Sequence, residues 1–332
     1  MRVKVIHLID DVKLGGVNIA LESLATSKLQ QEFQFQLIHS QLNLPKFNHY
    51  DASVIVIHAA MSWRKLPALL ALKIANWSTP ILYQEHHYSR EFVRHCVANP
   101  ARFKWMLRLG YALVDKVLTV SNPQADWLVD FCQLPESKIA RVGQAKELSS
   151  FMAMAKIKRH SPLRLAAYGR LTKQKGFDLL IKAIAHFPDT DVTLTIAGDG
   201  EEKEALQQLV EHPSQVSFIG EIEDVATFLS TADVVVIPSR WEPFGLTCME
   251  SVAAGKHVIL SAIDGLAEQL PNPDERLGFE VVEPLSIKGI IEAIEKVSDE
   301  SDLGVSESQR LATEQAWENM LQRWRQLLAE YK

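Results

Sequence analysis

The sequence has few cysteines and no long apolar run, and each shortage excludes a class of protein. The 332 residues include three cysteines, Cys96, Cys132 and Cys248, too few and too scattered for a disulfide framework or a zinc ribbon. We interpret them as reduced core thiols, which favours the cytoplasm. No stretch approaches the roughly 20 apolar residues that span a bilayer, and the N-terminus lacks the long apolar region of a signal peptide. Any membrane contact is therefore expected to be peripheral, at the inner face.

The charge is unevenly divided along the chain, although the net charge is only −6. Residues 1–150 carry a net charge of +5, and the remainder carries −11. The basic excess is concentrated in residues 88–116, where cationic side chains alternate with apolar and aromatic ones. This stretch could contact an anionic membrane or a phosphate-bearing substrate, and a solvated helix face is an equally good interpretation. No nucleic-acid-binding motif is present, so we expect no nucleic acid partner.

Hydrophobic patterning predicts two doubly wound α/β domains. Short apolar runs alternate with helical periodicity, which is typical of parallel strands covered on both faces. The pattern falters at residues 144–162 and then restarts. The predicted strands are 3–9, 35–39, 53–58, 81–84 and 116–120 in the first half, and 163–169, 192–198, 216–220, 233–239 and 257–262 in the second.

The same pattern predicts where the domains begin and end. We expect an N-terminal Rossmann-like domain over residues 1–145, a linker over 146–162 and a C-terminal domain over 163–307. A last helix over 308–332 carries an apolar stripe that should pack on a core. The members of this stripe are Trp317, Met320, Leu321, Trp324, Leu327, Leu328 and Tyr331.

The strand-to-helix loops of the second half contain groups suited to phosphate. Arg170 and Lys175 follow the first strand of that half, and two cations beside a positive helix end make a plausible diphosphate clamp. An ordinary solvated loop explains them equally well. Gly198 and Gly200 follow the next strand without a third glycine in register, so they fail as a dinucleotide fingerprint but remain suited to a tight turn.

Two carboxylates, Glu242 and Glu250, flank the start of a predicted helix near Gly245. Backbone N–H groups at this start, from Phe244 to Leu246, could hold a phosphate. Glu250 lies about one and a half turns into the helix, and a carboxylate suits the two hydroxyls of a ribose. Glu242 would then lie toward the sugar or the acceptor. The alternative is that both glutamates face solvent.

Together these residues resemble the retaining glycosyltransferases of family 4 (group 1), which have the GT-B fold of two Rossmann-like domains facing a central cleft. The resemblance covers nearly all of residues 163–298 and is weaker in the first half. Its motifs are Gly169-Arg170-Leu171, Lys175-Gly176, Gly198-Asp199-Gly200, Pro238-Ser239, Glu242 to Glu250 with Phe244-Gly245-Leu246 inside, Gly265-Leu266-Ala267-Glu268, Leu14-Gly15-Gly16 and Glu85-His86.

The resemblance implies a role for each matching residue. Arg170 and Lys175 would neutralise the donor diphosphate, Glu250 would hold the ribose, and Glu242 would lie close to the transferred sugar. His86 would face the reacting carbon. Gly15 and Gly16, with Gly169, Gly198, Phe244, Gly245 and Leu246, complete the implied donor site. The implied catalytic set is Glu242, His86, Arg170 and Lys175.

The implied activity is retaining transfer of a hexose-type sugar from a nucleotide diphosphate-sugar to a glycan or lipid-linked acceptor. Cell-surface polysaccharide or lipopolysaccharide biosynthesis is the expected setting. The N-terminal domain would bind the acceptor, the C-terminal domain would bind the donor, and the last helix would pack back on the N-terminal domain. No cofactor or metal is implied. The alternatives are a catalytically silent glycosyltransferase-like partner subunit, or a same-fold nucleotide-sugar epimerase or phosphorylase.

Three departures from the family pattern stand out. Asp264 precedes Gly265 where the family has a second glycine, and His87 replaces the glycine of a common His-Gly pair. Residues 144–147 replace an Asn-Gly-x-Asp element. Because the N-terminal domain of that family selects the acceptor, the departures in the first half leave acceptor specificity open.

Overall fold

The protein is described from a computed structural model that covers residues 2–10, 15–155 and 158–332. Leu14 of the first glycine motif and residues 156–157 of the predicted linker lie outside the described residues. The chain divides into two compact units. Unit 1 comprises Met1–Glu147 and Ala316–Lys332, and unit 2 comprises Leu148–Gln315.

Unit 1 contains one sheet of six parallel strands with helices in the connections. In space the order of the strands is β2-β1-β3-β4-β5-β6. The strands are β1 (Val3–Ile9), β2 (Phe33–His39), β3 (Val54–His58), β4 (Ile81–Glu85), β5 (Lys116–Thr119) and β6 (Ile139–Arg141). The helices are α1 (Gly16–Thr26), α2 (Leu66–Ala75), α3 (Arg90–Cys96), α4 (Pro100–Ala112) and α5 (Asn122–Cys132).

Unit 2 contains a second six-stranded parallel sheet. Its spatial order is β12-β11-β10-β7-β8-β9. The strands are β7 (Leu163–Tyr168), β8 (Val192–Ala197), β9 (Val216–Gly220), β10 (Val234–Ile237), β11 (His257–Ser261) and β12 (Phe279–Val282). The helices are α6 (Ser149–Met152), α7 (Phe177–Ile184), α8 (Lys203–Gln208), α9 (Val225–Ser230), α10 (Leu246–Ala253), α11 (Asp264–Glu268) and α12 (Ile287–Ser298).

The central strands are unbroken apolar runs because helices cover both of their faces. Every residue of β3, β4, β10 and β11 is buried, as expected for strands in the middle of a parallel sheet. The edge strand β2 shows more exposed positions. Polar residues begin several helices: the side chain of Ser121 accepts the N–H of Gln124 at the start of α5, and Ser286 accepts that of Gly289 at the start of α12.

The last helix, α13 (Glu307–Ala329), has residues in both units. From its predicted stripe, Met320, Leu321, Trp324, Leu327 and Leu328 are buried. The Trp324 ring packs against the His7 ring of β1, with centroids 5.8 Å apart. Across the described ranges, no helix combines the length and the apolar character that crossing a bilayer would require.

All ten predicted strands are present, and their ends differ from the prediction by at most two residues. The prediction missed β6 and β12. These strands have three and four residues and lie at the edges of their sheets. Such short segments show no clear hydrophobic period, so pairing with a neighbouring strand defines them.

Candidate functional site

The switch point of the unit 2 sheet lies between β7 and β10, where successive connections leave in opposite directions. In open parallel sheets, ligands bind beyond the carboxyl ends of the strands at this point. Tyr168 ends β7, and the loop from Pro238 to Gly245 connects β10 to α10. Most of the predicted donor residues lie in the connections that follow these two strands.

Glu250 is held by a tyrosine that the motif analysis did not single out. The hydroxyl of Tyr168 donates to Oε2 of Glu250 at 2.7 Å, and both side chains are buried. Burial, followed by the negative charge of Glu250, raises the pKa of Tyr168 well above its usual range, so the phenol stays protonated and acts as a donor. The carboxylate of Glu250 is therefore fixed in orientation at the switch point.

Glu242 contacts Lys175, although the resemblance gave the two residues separate roles. The ammonium of Lys175 lies 2.5 Å from Oε2 of Glu242, and the exposed fractions of the two side chains are 16% and 11%. The hydroxyl of Ser239 also donates to this oxygen, at 3.3 Å. A lysine paired in this way can leave the carboxylate for a stronger anion, since its ammonium is a single point charge on a flexible stem.

A bidentate ion pair fixes the loop that carries Lys175. The guanidinium of Arg240 donates to both carboxylate oxygens of Asp178 at 2.7 Å each and to the carbonyl of Lys173 at 2.8 Å. Two parallel bonds of this kind give directional strength. Gly176 is left-handed, with φ of +66°, and a Cβ there would lie 2.0 Å from the carbonyl oxygen of Pro238. The loops after β7 and β10 are thus locked together.

The other glycines of the predicted donor site serve close backbone packing. Gly198 has φ of +132°, and a Cβ on it would lie 2.0 Å from the carbonyl oxygen of Gly169. Gly169 has φ of +133° and lies beside the Lys175 side chain. Arg170, the next residue, is exposed. The two glycines therefore bring the loops after β7 and β8 together.

The start of α10 requires glycine for steric reasons. Gly245 has φ of +93°, and a Cβ there would lie 2.5 Å from Leu266; within the described residues, no side chain caps this helix. Asp264, one of the departures from the family pattern, also has a left-handed φ of +43°. Its carboxylate accepts the backbone N–H of Glu242 at 3.2 Å. The aspartate therefore fastens the Glu242 loop, a contact that glycine could not make.

At the switch point of the unit 1 sheet, between β1 and β3, three histidines form a hydrogen-bonded chain. Nδ1 of His7 lies 2.8 Å from Nε2 of His58, and Nδ1 of His58 lies 3.0 Å from Nε2 of His86. Burial lowers the pKa of His7 and of His86 to about 3 and holds that of His58 well below its usual range. All three rings are neutral at pH 7.

This chain couples the proton positions of the three rings. A neutral imidazole has one N–H and one acceptor nitrogen, so both hydrogen bonds must be donated in the same direction. If His58 donates to His86, Nδ1 of His86 carries a proton; in the opposite direction, that nitrogen is an acceptor. The buried rings of His7 and His58 thus decide which hydrogen bond His86 offers.

Glu85 ends β4 directly before His86 and is fully buried. Its carboxyl group accepts the N–H groups of His87 and Tyr88 at 2.7 and 3.1 Å and the hydroxyl of Tyr111 at 2.6 Å. Burial raises the pKa of Glu85 to about 7, and these hydrogen bonds oppose the rise. The carboxyl group therefore holds the turn that positions His86.

The second half of the chain is similar to one known family. Residues 153–316 match the family described as glycosyl transferases group 1. We call this matched segment the group 1 domain. Glycogen synthase of Mycobacterium tuberculosis is 28% identical over 203 residues, which are 59% of this chain and 47% of that protein. Lipopolysaccharide core biosynthesis glycosyltransferase LpsD of Rhizobium meliloti is 33% identical over 138 residues, or 41% and 39% of the two chains.

The chain spans less than half the length of these two curated relatives. A likeness in fold extends further than the group 1 domain. The crystal structure of Anabaena Alr3699/HepE in complex with UDP and glucose matches with a TM-score of 0.76 at 17% identity, over 99% of this chain and 100% of that chain. The predicted GT-B fold is confirmed, and membership of family 4 stays a prediction.

Most of the predicted donor residues lie within the group 1 domain, at its switch point. In the structure, Lys175 contacts Glu242. Arg170, which lies on the same loop as Lys175, is exposed. Gly15 and Gly16 belong to unit 1, where they begin α1. Sequence reasoning missed Tyr168, His7 and His58. The only available signal was that each lies at or near the carboxyl end of a strand.

The basic stretch 88–116 forms α3 and α4 outside the group 1 domain. On α3, Arg94 pairs with Glu91 at 2.5 Å, and Arg90 pairs with Asp130 at 3.2 Å. On α4, Trp105 is 58% exposed, and the guanidinium of Arg108 lies 5.1 Å from the centre of its ring. Of the two helices, α4 therefore combines exposed aromatic surface with cationic charge.

Proposed function

We propose that this protein is a retaining glycosyltransferase that moves a sugar from a nucleotide diphosphate-sugar to a glycan or lipid-linked acceptor. The observation that carries the proposal is the pair of oriented carboxylates at the switch point of the group 1 domain. Glu250 is fixed by Tyr168, and Glu242 is fixed by Lys175 and Ser239. Carboxylates held in this way are suited to accept hydroxyl hydrogen bonds from a ribose and a sugar.

We assign the donor diphosphate to Arg170, Lys175 and the start of α10. Arg170 is exposed near the start of the loop after β7 and can present a planar guanidinium to a phosphate. On donor binding, Lys175 would exchange part of its interaction with Glu242 for the phosphate. Positive charge and helix N–H groups stabilise a departing diphosphate, which is the main demand of a reaction without a metal.

We assign acceptor binding to unit 1, with His86 directed toward the transferred sugar. A neutral histidine can donate or accept one hydrogen bond there without adding charge. The relatives favour polysaccharide or lipopolysaccharide biosynthesis as the setting, because one is named a glycogen synthase and the other a lipopolysaccharide core glycosyltransferase. We expect neither a metal nor a cofactor to take part in the transfer.

The test is a thermal-shift panel with UDP, GDP, ADP, CMP and NAD, followed by the matching sugar nucleotides, on wild type and Glu250→Gln. One nucleoside diphosphate should raise the Tm selectively, and the variant should lose the shift, because ligand binding stabilises the folded state by mass action. Glu201→Gln, an exposed carboxylate of unit 2, is the matched control.

The stabilising donor is then incubated with candidate acceptors in the presence of EDTA, and product is analysed by NMR of the anomeric proton. Retained configuration in EDTA supports the proposal. Donor binding without hydrolysis or transfer would favour a silent partner subunit. Isomerised sugar, or phosphate-dependent cleavage of a glycan, would favour an epimerase or a phosphorylase. No shift with any nucleoside diphosphate would contradict donor binding itself.

We also propose that α4 touches an anionic membrane when the acceptor is lipid-linked. Exposed Trp105 and Leu109 provide apolar area, and Lys104 and Arg108 lie on the same helix. The double variant Lys104→Gln/Arg108→Gln should bind anionic vesicles about tenfold more weakly than wild type. Arg90→Gln/Arg94→Gln removes the same charge from the paired residues of α3. An equal loss of vesicle affinity in this variant would show that the attraction is general and does not depend on α4.

A further inference from the structure

A buried histidine in unit 2 has no hydrogen-bond partner. His257 is the first residue of β11 and is 1% exposed. Neither of its ring nitrogens has a partner among the described residues. Leaving buried polar atoms unsatisfied destabilises a fold, and the imidazole of histidine is a common metal ligand.

Two carboxylates lie beside this ring. Ligand atoms of His257, Glu280 and Glu300 all lie within 4.8 Å of one another. Nδ1 of His257 is 3.6 Å from Oε2 of Glu300. Two ligand atoms at about 2.0–2.2 Å from a tetrahedral zinc ion are about 3.3–3.6 Å apart, so this pair already has the spacing of neighbouring ligands.

The fold explains why the three residues meet. Ile259 of β11 is level with Glu280 of β12, so His257, two residues before Ile259, shares its face. Helix α12 covers that face through Ile290, Ile294 and Val297. Because α12 runs antiparallel to the strands, its end returns to the edge where they begin, and Glu300 follows there. This edge is opposite to the carboxyl edge that holds the proposed donor site.

Lys296 provides the competing cation. Its ammonium lies 2.6 Å from Oε1 of Glu280, yet the side chain is 65% exposed and can swing into solvent. Lys296 therefore pairs with one of two carboxylates that lie beside a buried imidazole, and a divalent cation could bind both carboxylates and the imidazole.

We propose that His257, Glu280 and Glu300 form a binding site for a divalent transition metal of the zinc type. The site ties β11, β12 and the end of α12 together. Histidine nitrogen with carboxylate oxygens is a ligand set that Zn²⁺ accepts, with water completing a tetrahedron. The proposed site is structural and takes no part in the proposed transfer.

The test is titration of the metal-stripped full chain with Zn²⁺ by calorimetry and with Co²⁺ by visible absorption. All proteins carry Cys96→Ser, because the thiol of Cys96 is exposed, in contrast to its interpretation as a core thiol. We expect one equivalent to bind, the tetrahedral bands of Co²⁺ to appear, and the Tm to rise. His257→Gln should weaken binding by about 100-fold, and Lys296→Met should tighten it by about tenfold.

His186→Gln is the matched control, because His186 lies 4.0 Å from Glu295 on the surface of the same unit and should leave binding unchanged. If His257→Gln does not fold, Glu300→Gln, whose carboxylate is partly exposed, replaces it and should give the same loss. Absence of binding to both the parent and Lys296→Met would overturn the site. So would undiminished binding in the His257 or Glu300 variant, whatever the outcome for nucleotide binding.

Discussion

The two sheets have the same architecture but line their switch points with opposite chemistry. In unit 1, two buried histidines, a half-buried third and a buried, protonatable glutamate lie there, and the three imidazoles are neutral. In unit 2, an ion pair between Lys175 and Glu242 and the carboxylate of Glu250 occupy the corresponding position. The difference suits different ligand groups: in unit 2 the lysine suits a diphosphate and the carboxylates suit ribose hydroxyls, whereas the neutral hydrogen-bonding groups of unit 1 suit the hydroxyls of a sugar.

The largest effect should come from removing the exposed cation of unit 2. We expect Arg170→Ala to lower sugar transfer by about 100- to 1000-fold, because less positive charge faces the leaving diphosphate. Initial rates with the donor found in the thermal-shift panel measure this. The Tm should not change, since Arg170 is exposed.

Arg164→Ala is the control, because Arg164 is an exposed arginine on β7. Transfer by Arg170→Ala within threefold of the control would remove Arg170 from the donor site and leave unit 2 with one candidate cation.

The buried carboxyl group of unit 1 should make stability depend on pH. Glu85 has a pKa of about 7 in the folded chain, above its ordinary value of 4.5. The protonated form therefore favours folding; this contribution is complete below pH 4.5 and is lost as the pH rises through about 7. Relative to wild type, Glu85→Gln should gain about 2 kcal/mol of unfolding free energy between pH 5 and pH 8.

Urea unfolding at the two pH values measures this gain. The comparison must be a difference from wild type, because His7 and His86, with pKa values of about 3, add stability as the pH rises toward 6.5. If the difference in unfolding free energy between Glu85→Gln and wild type is the same at both pH values, Glu85 is ionised in the folded chain. The site of unit 1 would then carry a charge, as the site of unit 2 does.

A smaller effect should follow from releasing Glu250. Tyr168→Phe removes the hydroxyl that fixes this carboxylate, and we expect nucleotide affinity to fall by about tenfold. Calorimetric titration with the preferred nucleoside diphosphate measures it. Tyr88→Phe removes a buried hydroxyl from unit 1, where it donates to Met61, and should leave nucleotide affinity unchanged. Equal losses in the two variants would indicate a general packing effect.

The smallest effect should come from interrupting the histidine chain. His58→Gln removes the ring that links His7 to His86, and we expect transfer to fall by about fivefold. The ¹⁵N shifts of His86 should report a changed balance of its two tautomers, a result that a loss of packing alone would not give. His95→Gln, an exposed histidine of α3, is the control. Unchanged His86 shifts would contradict the coupling.

Much of the fold could be predicted, because strand periodicity and strand-to-helix alternation are local properties. Apolar runs in the sequence predicted ten of the strands, and the motif from Glu242 to Glu250 indicated the group 1 domain. The two short edge strands, β6 and β12, could not be predicted, since pairing with a neighbour creates them.

Two parallel α/β units and the residue types offered to a ligand can be read from the amino-acid sequence, because hydrophobic period and glycine positions act over a few residues. Which side chains meet depends on the folded chain. Tyr168 and Glu250 are 82 residues apart, His7 and His58 are 51 apart, and His257 reaches Glu300 across a strand and a helix. Parallel strands return to the same edge only after a crossover helix, so each of these contacts joins distant segments of the chain.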